Sequence, residues 1–269
     1  MRSYLNLLGF VRHNGLEKPD TRFPTTGLFA RQIRHDLADG FPLLTTKKMR
    51  FDYVLAELLW FLSGRPDINT LKEHCPIWNP WADERGVVPS AYGHFWRTYP
   101  CAFGDLWIDQ IQKCITGLKK SPWSRRYVVL AWEPGNAWNS SLPPCHYTFC
   151  LNKSGDGRLN LHVTMRSADI PVGVPYNIAS YALLLHMIAM EVDMIPGEVA
   201  ITMVDAHIYT NQLGLVDEQL KRKPRALPKL ILPCVDFESL TIENFASLSE
   251  RIKVEGYNPW PHIPYPVSV

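Results

Sequence analysis

Residues 159–209 read LNLHVTMRSADIPVGVPYNIASYALLLHMIAMEVDMIPGEVAITMVDAHIY, and the architecture is set by what lies in the middle of them. The segment NIASYALLLHMIAMEV, from about Asn177 through Val192, is apolar all round, which predicts a central helix buried on every side. With His186 and Glu191 in it, it is too short and too polar to span a bilayer. The flanks LNLHVTMRS (159–167) and GEVAITMVDAHIY (197–209) are β-branched or alternating and read as strands. So do RRYVVLAWEP (125–134) and YTFCLN (147–152), each bounded by Gly, Pro or Asn. Upstream, FDYVLAELLWFLSG (51–64) sets Val54, Leu55, Leu58, Leu59 and Leu62 at helical spacing with Gly64 as a stop, and leaves Glu57 inside a mostly buried helix. Helix, strands, long buried helix and strand make an α+β order, with a mainly antiparallel or mixed sheet rather than regular βαβ repeats.

The chain has 269 residues, 46% hydrophobic and 20% charged, enough to bury a substantial core. Neither an internal repeat nor a Gly/Ser-rich linker divides it, so a single domain over residues 1–269 is expected. No apolar run is long enough to cross a membrane, and Arg12 and His13 interrupt the amino-terminal segment too early for a secretory signal, so the expectation is a cytoplasmic protein without a membrane partner. A net charge of +2 with scattered basic pairs argues against a nucleic-acid partner and suits a small anion better. Six cysteines without an export signal do not suggest a disulfide framework, and none of their spacings is that of a metal finger.

Among the six, Cys145 stands apart. Pro143 and Pro144 stiffen its approach in LPPCHYTF, and His146 follows it. A thiol attacks as thiolate, so cationic neighbours are expected to lower its pKa. Arg125 and Arg126 in SPWSRR, Arg166 in MRSAD and Arg22 in a polar early loop are the candidates, and a guanidinium also grips phosphate with two parallel hydrogen bonds. A cysteine hydrolase pairing Cys145 with His146 or His207 uses the same thiol without an anion cluster, and a catalytically silent paralogue binding nucleotide or RNA needs neither Cys145 nor Glu57.

The blocks DGFPLLTTKK (39–48), AELLWFLSG (56–64), IWNPWADERG (77–86), SRRYVVLAW (124–132), LPPCH (142–146), RSADIPVGVPYNIASYALLLHMIA (166–189), DAHIYTNQ (205–212), PRALPKLIL (224–232) and the terminal EGYNPWPHIPYPVSV stand in an order that resembles thymidylate synthase over nearly the whole chain. That resemblance implies a thymidylate-synthase-like fold, a homodimer built through the sheet, dUMP as substrate and 5,10-methylenetetrahydrofolate as one-carbon donor. It implies that Cys145 adds to C6 of the pyrimidine and that Glu57 is the general acid/base, with Tyr92, His146, Arg166 and Asp169 completing the catalytic set. Arg22, Arg166 and Ser167 match phosphate ligands, joined by Arg125 and Arg126 reaching into the other subunit's site. His207 and Tyr209 match the pair on the sugar 3′-hydroxyl. Asn177 matches the residue that reads uracil, since its amide donates to O4 and accepts from N3–H; it also reads as an N-cap of the buried helix. Asp169 matches the pterin ligand, with Ile77, Trp78, Trp81, Leu142, Gly173 and Tyr176 as walls and the tail through Val269 closing over them.

Departures from the synthase pattern bear on the product. The Arg-Thr-Gly-Thr-Gly-Thr loop reads TRFPTTG, Tyr-Gly-x-Gln-Trp reads YGHFW, the Gln before the phosphate arginine is Met165, and Asn79 follows the first tryptophan. These differences favour addition of water to the methylene carbon, giving 5-hydroxymethyl-dUMP. The retained tail PYPVSV, which excludes water in the synthases, favours the alternative, dTMP with dihydrofolate.

Overall fold

A computed structural model describes residues 1–19, 23–102, 104 and 106–267. Its helices are α1 (Arg2–Asn14), α2 (Phe51–Ser63), α3 (Tyr92–Arg97), α4 (Gln110–Lys120), α5 (Pro134–Ala137), α6 (Gly173–Glu191), α7 (Leu213–Lys221) and α8 (Phe245–Arg251). The main sheet has six strands in the order β1-β2-β8-β7-β6-β5. They are β1 (Leu16–Lys18), β2 (Thr25–Asp36), β5 (Val128–Leu130), β6 (His146–Lys153), β7 (Leu159–Asp169) and β8 (Pro196–Tyr209). Two small two-stranded sheets, β3 (Tyr99–Pro100) with β4 (Trp107–Ile108) and β9 (Lys229–Ile231) with β10 (Lys253–Glu255), lie outside it.

All pairings in the main sheet are antiparallel except β7 with β8, so the α+β, mixed-sheet expectation holds. A parallel pair needs a crossover, and α6 supplies it, carrying the chain from β7 back to the start of β8. Val174, Ile178, Tyr181, Leu184, Leu185 and Ile188 of α6 are all buried, packed on the sheet face formed by Leu161, Val163, Val199 and Ile201. By length and composition α6 is apolar enough for a membrane span, yet most of it is buried inside the protein.

Helix α2 occupies the expected residues and ends as expected, with Gly64 at φ +71° and its N–H donating to the Phe61 carbonyl. Helix α6 begins at Gly173, earlier than the apolar run suggested. Pro175 lies in its first turn, where a missing N–H costs nothing because no carbonyl precedes it to bond. Asn177 is therefore not the N-cap; Val172 is, and Asn177 projects from the second turn. The strand predicted over 125–134 contracts to Val128–Leu130, leaving Arg125 and Arg126 on the exposed approach to it.

Opposite α6, the sheet has a face that no element among the described residues covers. Gln32 with Thr202 and Arg34 with Glu198 make side-chain bonds across it, and Phe29, Val128 and Val204 are exposed nearby.

Candidate active site

Cys145 stands one residue before β6, at the end of the sheet where β6, β7 and β8 meet. Its backbone is pinned on both sides: its N–H donates to the Tyr92 hydroxyl at 2.7 Å, and its carbonyl accepts the Arg166 N–H at 2.8 Å. The Arg166 guanidinium folds back over the same turn. Nε donates to the Pro144 carbonyl at 2.9 Å and Nη2 to the Pro143 carbonyl at 2.6 Å, which sets Nη2 3.7 Å from Sγ. The paired prolines thus position the cation as well as the thiol, and Nη1 is left without a protein hydrogen bond among the described residues.

Despite that cation, the Cys145 thiol is raised above its ordinary pKa. Burial is the largest cause; Arg166 opposes it and Asp169 reinforces it. The expectation of a cation-lowered thiol is corrected accordingly: protein groups alone keep Cys145 mostly protonated.

His146, expected in the catalytic set, has its ring engaged in the core instead. Its Nδ1 bonds the Tyr181 hydroxyl at 2.7 Å, and its ring stacks on Tyr92 at 3.8 Å and 5°. Burial lowers its pKa to about 3, so at neutral pH it is an uncharged part of the core, not a base for the thiol. That engagement does not favour a Cys145–His146 dyad. What His146 does is buttress Tyr92, which holds the nucleophile's amide.

Glu57, on α2, accepts the Trp78 indole N–H at 2.7 Å. Burial pushes its carboxyl up to about 7, and the Trp78 bond works against that rise. Trp78 packs on Trp60 and Tyr92, with Trp81 beside it at 5.8 Å, so the tryptophan wall and the nucleophile's support form one aromatic cluster. Ile77 is exposed, while Leu142 is half-buried, its carbonyl accepting from Ser90.

On the two parallel strands, Ser167 pairs with Asp205 and Asp169 with His207. Asp205, His207 and Tyr209 share one face of β8 by their period of two. His207 is buried with Nδ1 3.6 Å from Asp205 Oδ1, which also pairs with Lys18 at 2.8 Å, and its ring meets Tyr209 edge-on at 5.1 Å. Asn177 is half-buried, and its amide has no protein hydrogen bond among the described residues. A Cβ on Gly173 would stand 3.7 Å from Asn177 Oδ1, an ordinary contact, so Gly173 borders the amide without crowding it. Tyr176, beside them, receives only a long contact from the Arg50 N–H at 3.5 Å.

Arg125 and Arg126 are not brought to Cys145 within the chain; both are exposed and make no ion pair among the described residues. Arg22 and Val269 lie outside the described residues. Beside Arg166, on the uncovered sheet face, opens a hollow of about 440 Å³ lined by Leu130, Trp132, Tyr147, Arg166 and Val204.

Two polar residues in the quoted blocks were not singled out from sequence. Lys47, 5% exposed, donates to the Pro171 carbonyl at 2.6 Å, lies 5.0 Å from the Tyr265 ring, and is lowered by burial to about 8 against the pull of Asp169. Gln212 is fully buried between Asp169, Tyr209 and Pro266. The available signal was their polarity inside otherwise apolar blocks.

A pinned thiol, a carboxyl titrating near neutrality, an unpaired amide and an aromatic wall suit nucleophilic activation of a flat heterocycle followed by proton transfer. The thymidylate synthase family model matches residues 2–269. The chain therefore belongs to the thymidylate synthase family, whose common chemistry is folate-dependent transfer of a one-carbon unit to C5 of deoxyuridylate.

Proposed function

We propose that this chain is a single catalytic unit that transfers the one-carbon unit of 5,10-methylenetetrahydrofolate to C5 of dUMP, with 5-hydroxymethyl-dUMP as product. Cys145 Sγ adds to C6, the displaced π electrons reach C5 and O4 as an enolate, and C5 attacks the methylene carbon as its bond to folate N10 breaks. Loss of the C5 proton expels N5 as tetrahydrofolate, water adds to the exocyclic methylene, and the thiolate leaves C6 as the 5,6 double bond re-forms. Arg166 Nη1 and Ser167 take the phosphate together with Arg22. Arg125 of the partner subunit and Arg126 of the partner subunit complete the cluster in a homodimer formed through the uncovered sheet face. Their exposure, and the hollow beside Arg166, support that arrangement. The Cys145 proton passes to solvent, and the thiolate is favoured by the Arg166 guanidinium, whose Nη2 lies 3.7 Å from Sγ, together with the arginines assembled around the phosphate.

Asn177 reads O4 and N3–H of uracil, His207 and Tyr209 hold the sugar, and Asp169 takes the pterin against Trp78, Trp81, Ile77, Leu142, Gly173 and Tyr176. The observation that carries the hydroxymethyl product is that Phe95 and Met165, both buried, stand where the synthase pattern has Gln; Glu57, held by Trp78 and raised to about 7 by burial, is suited to deprotonate the water. A second reading has its own support. The carboxyl-terminal segment is tied down through Lys47 with Tyr265 and Gln212 with Pro266, and a closed tail that keeps water out favours hydride transfer and dTMP.

Incubation with dUMP and methylenetetrahydrofolate, followed by mass spectrometry of the nucleotide and detection of dihydrofolate, tests this. Hydroxymethyl nucleotide without dihydrofolate supports the proposal. Methyl nucleotide with dihydrofolate establishes the second reading, and no change in the nucleotide overturns both.

A further inference from the structure

Gln212 ends the short turn Thr210–Gln212 that joins β8 to α7, and none of its surface meets solvent. A primary amide carries two N–H donors and one accepting oxygen. Here Oε1 accepts the Tyr209 backbone N–H at 3.1 Å, while Nε2 donates to the Pro266 carbonyl at 3.0 Å and, more weakly, to Asp169 Oδ2 at 3.4 Å. Those three partners belong to the sugar-side strand, to the carboxylate assigned to the pterin, and to the carboxyl-terminal segment.

We infer that Gln212 is a positioning residue that couples docking of the carboxyl-terminal segment to the orientation of Asp169, and so sets affinity for the folate rather than for the nucleotide. The inference rests on the folate reading above. Because a carboxamide is planar, its two Nε2 hydrogens are fixed relative to each other, and turning one toward Pro266 directs the other toward Asp169. Apart from Gln212, Asp169 accepts one hydrogen bond among the described residues, from the Val172 N–H to Oδ1 at 3.3 Å; His207 and Lys47 act on it through their charge without a bond that fixes its plane. Lifting the segment strips a buried donor of its acceptor, which disfavours the lifted state about tenfold. Gln219 provides a built-in contrast: it joins Thr46 and Tyr265 without touching Asp169.

The test uses the full chain with two substitutions. Gln212→Glu keeps the acceptor for Tyr209 but turns an oxygen toward Asp169 and Pro266; Gln212→Met removes every polar contact. At about pH 8 both variants raise the KM for methylenetetrahydrofolate about tenfold and speed hydrogen exchange in residues 262–267 to a similar degree, while in Gln212→Glu, which keeps the Tyr209 bond, the Kd for dUMP stays within about threefold. Near pH 6 the glutamic acid gains an O–H donor, so Gln212→Glu recovers part of its folate affinity and Gln212→Met does not. The titratable groups facing this junction are Tyr4, Lys47, Asp169, His207, Tyr209 and Tyr265; both variants retain them, so the difference between the two pH profiles reports residue 212. Folate and dUMP affinities falling together in Gln212→Glu, or identical pH profiles for the two variants, overturn the inference in favour of a merely structural role. If the unaltered protein makes no product from dUMP and folate, the functional reading fails. The exchange arm still decides the coupling, since unchanged exchange in both variants overturns it.

Discussion

Replacing Trp78 with phenylalanine perturbs one hydrogen bond whose consequence can be worked out in advance. Burial lifts the Glu57 carboxyl to about 7, and the indole N–H donating at 2.7 Å stabilises the carboxylate against that rise. A hydrogen bond to a charged group contributes about 1.5–3 kcal/mol, and about 1.4 kcal/mol shifts a pKa by one unit. Phenylalanine retains the ring contacts with Trp60 and Tyr92 but donates nothing, so the Glu57 pKa rises by about one unit. If Glu57 acts as the carboxylate, its active fraction at pH 7 falls from about one half to about one tenth, a roughly fivefold loss. Near pH 9 most of that loss is recovered. The assay is kcat/KM for dUMP measured from acid to alkaline pH in both proteins. The acid limb of Trp78→Phe should move upward by about one unit, with plateaus agreeing within about twofold. An acid limb that stays in place, or an equal loss at every pH, refutes the reasoning.

Glu57→Gln should stabilise the fold in a pH-dependent way. The folded carboxyl holds its proton to about 7 against an ordinary value of 4.5, so stability falls as pH rises through that window. In urea titrations the glutamine variant should match the parent near pH 4.5 and exceed it by about 2–3 kcal/mol at pH 8. Asn177→Asp exchanges the amide donor for an acceptor and should shift competition between dUMP and dCMP about tenfold or more toward dCMP; an unchanged ratio would mean that base recognition lies elsewhere. Cys145→Ala and Arg126→Glu should each be inactive alone, yet mixing equal amounts under exchanging conditions should restore about one quarter of the activity, because half of the dimers are mixed and each mixed dimer has one intact site. No recovery in mixtures that do exchange subunits would confine the site to one chain.

The legible parts of the sequence were those where one physical demand dominated. Helix α2 has a clean apolar spacing and a left-handed glycine after it, and both survive in the structure. Helix α6 was legible as buried but not in its start, because Pro175 reads as a breaker unless it falls within the first turn. Helix α1 and strand β2 escaped notice. In β2 the burial alternation is broken at Ala30, whose φ of +50° takes it out of the pairing while the register against β8 is the same at Phe29 and Arg31. At the candidate site, Cys145, Glu57 and Asn177 were identifiable by type, but the partners of a side chain were not: His146 follows Cys145 in sequence, yet its ring bonds Tyr181 and stacks on Tyr92. The protonation of Cys145 was equally out of reach, since it depends on how burial weighs against one guanidinium.

That balance at Cys145 has a chemical consequence for the protein's lifetime. Peroxides and soft electrophiles consume thiolates far faster than thiols. A Cys145 thiol that burial keeps protonated in the protein without substrate therefore reacts slowly with them. The two prolines and Arg166 hold the sulfur ready in position, while the surrounding apolar packing withholds its reactivity, so that readiness and exposure to damage are separated.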